Sequence, residues 1–299
     1  MRLLALALVA ALLGGCASTA PRPDPVPDLV VSAADLAVIR EDVVIVHVAR
    51  ERADYDAGHV PEARFLPLSA IAAERDGVPD RLPPVADVRA AFEAVGVSNG
   101  SRVVLYDDLG GLAAARALYA LDAIGHTGGA VLDGGLAAWQ RTGQPLSTDP
   151  ASPARPGSIT SAPDAGVTAN AADVQALLGG ARAGRASLID ARPADQYTGA
   201  TPGGGVTRPG HIPGAVSLFW EEDLRPDGTL RPLDELRQRY AAAGAVPGEP
   251  GVTYCRTGVQ ASHAYLVARL LGLEPRLYDG SFFDWSAQTD YPVQPGSQP

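Results

Sequence analysis

The stretch "YCRTGVQAS" places a cysteine where a strand pattern meets a helix pattern. Cys255 follows the apolar run "GVTY" and opens the loop "CRTGVQ", after which "ASHAYLVARLLG" has apolar residues at helical spacing. Backbone N–H groups in such a junction converge on the first loop residue, and the helix dipole adds positive potential there. Both effects favour a thiolate, so we predict that Cys255 is a nucleophile at neutral pH. The same loop would stabilise a terminal persulfide, whose outer sulfur carries the charge.

The basic residues limit the chemistry further. Arg256 adds a fixed cation beside the thiol, and the sequence contains no lysine. No amine side chain is therefore present for a Schiff base or a P-loop phosphate site. A net charge of −10 and a sequence pI of about 4.9 argue against nucleic acid and anionic lipid as partners of the folded domains.

Other reactive constellations are not supported by the spacing. His47, His126 and His263 have no metal-ligand spacing with one another or with Cys255, so we expect no metal. A Cys-x5-Arg phosphatase loop is disfavoured because the residue six positions after the cysteine is Ala261. A thiol oxidoreductase is also disfavoured, since the chain has no Cys-x-x-Cys pair.

Several polar and aromatic residues have a structural interpretation. His59 and His211 stand in turns before Pro, and we interpret both as hydrogen-bonded turn histidines. Trp139 and Trp285 are expected in the core or at a domain interface. For Trp220, in "LFWEED", lining of a substrate cleft and plain packing remain equally open.

The N-terminus has the pattern of an export signal. Arg2 precedes the apolar run "LLALALVAALL", which is too short to span a bilayer and ends in "LGGCAS". This ending resembles the bacterial lipobox, in which Cys16 carries a lipid; the alternative is an ordinary cleaved signal peptide. We expect a signal peptide at 1–15 and a lipid-anchored, Pro-rich tether at 16–30, on the periplasmic side of a membrane, with the outer membrane favoured. Cys255 would then have no intramolecular disulfide partner.

The rest of the chain is a duplication separated by a linker. "YDAGHVPEA" parallels "YTG…GHIPGA", and "SRVVLYDDLGGLAAARALYAL" parallels "PGVTYCRTGVQASHAYLVARL". A Pro-, Ser-, Ala- and Gly-rich stretch at 148–166 divides domains at 31–147 and 167–296. Short apolar runs alternate with helical patterns, which predicts an α/β fold with parallel sheets flanked by helices on both faces.

These motifs resemble the tandem-domain rhodaneses and mercaptopyruvate sulfurtransferases. The resemblance rests on "LIDARPADQY…GHIPGA", "YCRTGVQASHAYLVARLLG" and "LYDGSFFDW", and covers nearly all of the chain after the tether. It implies two rhodanese-like domains, of which the second is active, with Cys255 as the sulfur-carrying residue. It also implies an anionic sulfur donor and a thiol or cyanide acceptor, without a cofactor, and we expect a monomer. The implied donors around the sulfur are Arg256, Thr257, Gly258, Val259 and Gln260.

The active loop departs from the usual patterns of this family. Thiosulfate enzymes typically have Cys-Arg-Lys-Gly-Val-Thr, whereas mercaptopyruvate enzymes have Cys-Gly-Ser-Gly-Val-Thr. Arg256 matches the first pattern, Thr257 is nearer the second, and Gln260 replaces a hydroxyl residue. Gln196 stands where relatives often carry an arginine, and we expect Arg208 to supply a substitute anion contact. We therefore expect thiosulfate as the donor, and 3-mercaptopyruvate remains the alternative.

The first domain is expected to be inactive. Asp107 occupies the position equivalent to Cys255, where a carboxylate can cap a helix but cannot carry a sulfane sulfur. Asp190 and Arg192, in "DAR", are expected to form a structural ion pair under the active loop. A non-catalytic lipoprotein that carries sulfide or binds other proteins is the alternative from another functional class.

Overall fold

The structure, a computed structural model, describes residues 29–151 and 155–299. The export signal, Cys16 and most of the tether lie outside the described residues, so the predictions made for them stay predictions. Among the residues described, no helix combines the length and the apolar character needed to cross a membrane.

Each half of the chain folds into alternating strands and helices. The first half forms, in chain order, β1 (Val30–Val31), α1 (Ala33–Ile39), β2 (Val44–Ala49), α2 (Arg52–Ala57), β3 (Arg64–Pro67), β4 (Ala73–Arg75), β5 (Val78–Arg81), α3 (Val85–Ala94), β6 (Val103–Tyr106), α4 (Leu112–Ala123), β7 (Gly129–Leu132) and α5 (Gly135–Arg141). The second half forms β8 (Thr168–Ala169), α6 (Ala171–Arg182), β9 (Ser187–Asp190), α7 (Ala194–Thr198), β10 (Val216–Ser217), α8 (Leu233–Ala242), β11 (Gly251–Tyr254), α9 (Val259–Leu270), β12 (Pro275–Tyr278) and α10 (Ser281–Ala287).

The two main sheets have the same topology. The first has the order β1-β7-β6-β2-β3 and the second the equivalent order β8-β12-β11-β9-β10, with all pairs parallel. Strands β6 and β11 lie at the centre, because their runs "VVLY" and "GVTY" are apolar enough for burial on both faces. The predicted α/β fold, with a duplicated parallel sheet flanked by helices, is therefore confirmed.

Helices α4 and α9 pack against each other between the two sheets. In α4, every residue after Leu112 is buried, and the sequence "LAAARALYALDA" is mostly alanine and leucine. Small side chains allow two helices to approach closely, and a helix that is apolar all round is buried all round. One hydrophobic cluster therefore runs through both halves, and it includes Leu118 from α4 and Leu266 from α9.

Each half also sends a hairpin onto the other half. Strands β4 and β5 form an antiparallel pair, and the backbone N–H of Leu82 just after it donates to Asp279 in the second half (2.8 Å). The matching hairpin closes with an antiparallel bridge between Leu224 and Leu230, and the N–H of Leu230 donates to Asp133 (2.8 Å). The two contacts are equivalent. In each of them, a hairpin from one half packs near the loop that follows the central strand of the other half.

Candidate active site

Cys255 lies at the junction of β11 and α9, as the sequence predicts. The thiol is buried, with the residue 1% exposed, and its Sγ accepts a hydrogen bond from the N–H of Gly258 at 3.1 Å. Gly258 is the N-cap of α9 and has φ +100°, a conformation that other residues adopt only with strain. The loop can therefore turn a backbone donor onto the sulfur at the positive end of a 12-residue helix.

The segment "DGS" (279–281), which follows β12, hydrogen-bonds to the backbone of this loop. Ser281 has φ +51°, and its hydroxyl accepts a hydrogen bond from the N–H of Cys255 at 3.2 Å. The N–H of Phe282 donates to the carbonyl of Cys255, and that of Phe283 donates to the carbonyl of Arg256, both at 2.9 Å. These contacts fix both peptides that flank the thiol, which limits how far the sulfur can move.

A buried ion pair lies at the end of β9, the strand that pairs with β11. Arg192 donates from Nε and Nη2 to both carboxylate oxygens of Asp190, and Nη2 also donates to the carbonyl of Gly210. Burial opposes the charge on Arg192, but the carboxylate outweighs that cost and raises the pKa of the guanidinium. The guanidinium lies over the ring of Phe282, 4.1 Å from its centroid. The structural role predicted for this pair agrees with these contacts.

The side chains of Arg256 and Thr257 point to different neighbours. Arg256 donates from Nη1 to the carbonyl of Gly204 at 3.1 Å, in the segment that precedes the Gly-His-Ile-Pro turn. Thr257 donates from its hydroxyl to Asp80 of the first half at 2.7 Å. A carboxylate from the opposite domain is thus part of the site, and the 177 positions that separate it from Thr257 leave no spacing signal in the sequence.

The remaining predicted donors and Gln196 lie around this loop. Val259 and Gln260 form the first turn of α9 and are half-buried. Gln196 has a buried Oε1 that finds no hydrogen-bond partner among the described residues. A Cβ built on Gly203 would lie 3.3 Å from this oxygen and 3.1 Å from Cδ of Arg256. Gln196 and Arg256 therefore approach the same short segment from two sides.

Arg208 donates from Nε, Nη1 and Nη2 to backbone carbonyls at and just after the end of α10, namely those of Trp285, Ser286, Gln288 and Tyr291. The anion contact expected from Arg208 stays a prediction. The last carbonyls of a helix lack intrahelical partners, and a guanidinium satisfies them well. Arg208 thus stabilises the end of a helix.

The equivalent loop of the first half is filled by a carboxylate. Asp107 accepts hydrogen bonds from the backbone N–H groups of Leu109, Gly111 and Ala114 at 2.8–3.0 Å. Burial raises the pKa of this carboxyl group, although the three N–H donors oppose the shift. The space that a sulfur would need is occupied by the capping side chain, as the sequence predicts.

The other singled-out residues have structural partners. His59 and His211 each stack on a tyrosine at 3.8 Å, and their ring nitrogens lie about hydrogen-bond distance (2.9–3.0 Å) from backbone carbonyls. Trp139 and Trp285 are buried in the two halves, and each donates its indole N–H to a proline carbonyl. Both interpretations are confirmed.

Trp220 packs at the interface between the two halves. It packs against the first-half loop, where a Cβ on Gly110 would be 3.4 Å from the indole, and it meets the ring of His263 edge-on at 5.4 Å. Packing at the interface between the halves is therefore observed, and the lining of a substrate cleft by this residue stays a prediction.

Comparison with known proteins identifies the same domain twice. A model of the rhodanese-like domain matches residues 33–142 and 170–288. The chain is similar to a probable 3-mercaptopyruvate sulfurtransferase of Pseudomonas aeruginosa, with 39% identity over 81% of this chain and 86% of the relative. It is also similar to a thiosulfate sulfurtransferase of the same organism (33%, over 81% and 88%) and to a sulfur carrier protein of Thermus thermophilus (30%, over 82% and 88%). Among solved structures, an anaerobic ergothioneine biosynthesis enzyme from Chlorobium limicola shares the fold, with a TM-score of 0.81 at 22% identity over 90% of this chain and 70% of that one.

Proposed function

Because this chain belongs to the rhodanese-like sulfurtransferase family, we propose that it transfers a sulfane sulfur through a persulfide on Cys255. The observation that carries this proposal is the position of the thiol, at the N-terminus of α9 with the Gly258 N–H donating to its sulfur. A backbone donor and a helix dipole stabilise a thiolate, and after transfer they stabilise the charged outer sulfur of a persulfide in the same way.

The proposed reaction has two half-reactions. The Cys255 thiolate attacks the outer sulfur of thiosulfate, the sulfur–sulfur bond of the donor breaks, and sulfite leaves with the bonding electron pair. An acceptor, cyanide or a thiolate, then attacks the outer sulfur of the enzyme persulfide, and the Cys255 thiolate is released as the leaving group. No net oxidation occurs across the cycle, so neither half-reaction requires a cofactor.

Thiosulfate is the proposed donor because the loop carries Arg256 next to the thiol. Its guanidinium donates to a single backbone carbonyl, which leaves other N–H groups for an anion. The competing candidate is 3-mercaptopyruvate, and the relative at 39% identity carries that activity in its name. Asp80, hydrogen-bonded to Thr257 in the same loop, favours this second candidate, since its charge opposes a dianion more than a monoanion.

A non-catalytic role is the proposal from another class. The similarity to a sulfur carrier protein supports a chain that holds sulfur on Cys255 and passes it only to a protein partner. Such a carrier would form the persulfide but would turn over slowly with small acceptors.

We also propose a lipid anchor at Cys16 that holds a monomer on the periplasmic side of a bacterial membrane. The support is the "LGGCAS" sequence, and the test is fatty-acid labelling of wild type against Cys16→Ser. Label in the wild type alone is expected; a wild type without label contradicts the anchor.

Steady-state rates with each donor test the proposed activity. Thiocyanate formation from thiosulfate and cyanide should exceed that from 3-mercaptopyruvate in kcat/KM, and Cys255→Ser should abolish both. A higher kcat/KM with 3-mercaptopyruvate would transfer the assignment to that donor. Persulfide formation without turnover on either small acceptor would support the carrier, and activity that survives in Cys255→Ser would remove the proposal.

A further inference from the structure

Arg116, in helix α4 of the inactive half, lies fully buried against the sulfur-bearing loop. Its Nε donates to the carbonyl of Ile71 at 3.2 Å, and its Nη2 donates to the carbonyl of Asp80 and to Oδ1 of Asp279, both at 2.7 Å. Its Nη1 is buried and has no hydrogen-bond partner among the described residues. This nitrogen is close to Gly258, where an added Cβ would lie 3.2 Å from it.

The position of Nη1 connects it to the reacting atom through one residue. Gly258 is the residue whose N–H donates to the Cys255 sulfur at 3.1 Å. Adding standard bond lengths to these two separations places Nη1 within about 9 Å of the sulfur. At that distance in a protein interior, a full positive charge acts appreciably on a thiolate or a persulfide anion.

Arg116 offsets the negative charge of the carboxylates that face the same loop, so its removal would leave them uncompensated beside the sulfur. The carboxylate of Asp279 accepts a hydrogen bond from Nη2 of Arg116 and another from the N–H of Leu82. It also lies 3.9 Å from Nε of Arg81. Asp80 presents its carbonyl to Arg116, while its carboxylate accepts the hydroxyl of Thr257. Two guanidinium groups and two carboxylates therefore meet here, and Nη1 of Arg116 and Oδ1 of Asp279 lie at similar distances, 3.2 and 3.4 Å, from a Cβ built on Gly258.

The same place in the other half holds a neutral residue. Arg116 is the fifth residue of α4, and His263 is the fifth residue of α9. A Cβ on Gly111 of the first-half loop would lie 3.7 Å from the ring of His263, and burial lowers the pKa of that ring to about 4. A cation thus adjoins the loop that carries Cys255, and an uncharged ring adjoins the loop that Asp107 already fills.

We propose that Arg116 is a positioning residue for sulfur transfer, supplied by the inactive half. It packs beside Gly258, whose N–H donates to the sulfur, and its charge offsets the neighbouring carboxylates and so stabilises the sulfur anion across the interface between the halves. This inference rests on the proposed transfer at Cys255, and it gives the inactive half a direct part in that reaction.

The experiment compares charge with packing at this position in the full-length chain. Arg116→Met and Arg116→Gln remove the charge, and Arg116→Lys keeps it while losing most of the guanidinium contacts. Arg269→Met is the matched control, because Arg269 also forms an ion pair across the two halves, with Asp122, but does not touch the loop. Two quantities are measured: kcat/KM with thiosulfate, and the pH midpoint of Cys255 alkylation, read from the peptide mass so that Cys16 does not interfere.

The neutral variants should raise the alkylation midpoint by about one pH unit and lower kcat/KM about tenfold or more. Arg116→Lys should shift the midpoint less than half as far, and Arg269→Met should leave it in place. An unshifted midpoint in the neutral variants, or an equal shift in Arg116→Lys, overturns the inference. If the wild type transfers no sulfur, the proposed function fails, but alkylation needs no transfer and still decides the role of Arg116.

Discussion

At the scale of single residues, the chemistry depends on one thiol and on the charges that surround it. Cys255 is buried, so a donor must be drawn to the loop before the sulfur can react. Arg256 is the loop's own cation and the more accessible of the basic groups near the site. Its contribution to donor choice can be measured separately from the backbone donors, which survive its substitution.

Arg256→Gly should lower kcat/KM for thiosulfate by about 10- to 150-fold, the effect of losing one charge-assisted contact of about 1.5–3 kcal/mol. The loss with 3-mercaptopyruvate should be smaller, because that donor carries one carboxylate charge. Arg256→Gln controls for the added backbone freedom of glycine. It should likewise lower kcat/KM more for thiosulfate than for 3-mercaptopyruvate. Unchanged thiosulfate kinetics in both variants would mean that the anion is held elsewhere in the cleft.

A second residue-scale prediction concerns His47. Its ring is buried, stacks on Tyr106 at 4.6 Å, and has no hydrogen-bond partner for either nitrogen within residues 29–151 and 155–299. Burial lowers its pKa to about 4, whereas the unfolded chain takes up the proton near the ordinary value of 6.5. Between these values the unfolded state binds more protons, so the free energy of unfolding rises with pH. The contribution is complete above pH 6.5 and is lost as the pH falls towards 4.

His47→Phe should remove this dependence while keeping a ring against Tyr106. In urea unfolding at pH 7 and pH 4.5, the wild type should lose about 2 kcal/mol more than the variant. Other shifted groups, such as His263, are common to both proteins and cancel in the difference. Parallel losses in the two proteins would show that His47 does not titrate in this range.

At the scale of elements, the β11–loop–α9 unit places the thiol beside a backbone N–H donor at the start of a helix. The strand ends at Tyr254, the helix begins at Val259, and Gly258 makes the turn between them. A Cβ on Gly258 would lie 3.1 Å from the carbonyl oxygen of Asp279, so both φ and the available space require glycine. The donor to the sulfur is therefore fixed by a backbone conformation that other residues cannot adopt without strain.

Gly258→Ala should reduce sulfur transfer at least about tenfold, because the displaced N–H no longer reaches the sulfur. Gly272→Ala is the matched control: Gly272 also has positive φ, +78°, but no atom of the described part of the chain lies within 4 Å of an added Cβ. This control should cost about 1 kcal/mol of stability and leave kcat/KM unchanged. Equal activity losses in the two variants would show that strain, and not the sulfur contact, explains the effect.

The elements that a local pattern encodes were predictable from the sequence. The strand–loop–helix around Cys255, the Asp190–Arg192 pair and the turn histidines depend on neighbours that are close in the chain. The placements of Arg208 and Trp220 were not, because a long side chain can reach several partners and the sequence does not say which. Asp80 and Arg116 gave no signal, since they come to the loop only through tertiary contacts, Asp80 through the β4–β5 hairpin and Arg116 through the packing of α4 on α9.

At the scale of the whole molecule, duplication produced one site where two loops exist. The halves share a sheet order, exchange equivalent hairpin contacts and bury a common core, so neither is a separate body. The loops differ in the residue after the central strand, Asp107 or Cys255, and in the side chain behind them, His263 or Arg116. One half carries the sulfur, and the other covers and supports it.

This asymmetry predicts different outcomes for equivalent substitutions. Asp107→Ala should keep most of the sulfur transfer and cost about 1–2 kcal/mol of stability, because it removes a helix cap but no reacting group. Cys255→Ser should abolish transfer, since oxygen cannot hold a transferable sulfur. Rates with saturating thiosulfate, compared at equal folded fractions, would test this, and comparable losses in both variants would refute a single active half.

The most direct test of the account is the mass of the peptide that contains Cys255 after the protein has been incubated with thiosulfate. We predict that this peptide gains one sulfur atom, that cyanide removes the added sulfur as thiocyanate, and that Cys255→Ser shows neither change. A Cys255 peptide of unchanged mass under conditions in which thiosulfate is consumed would contradict the persulfide, and with it the central role assigned to this loop.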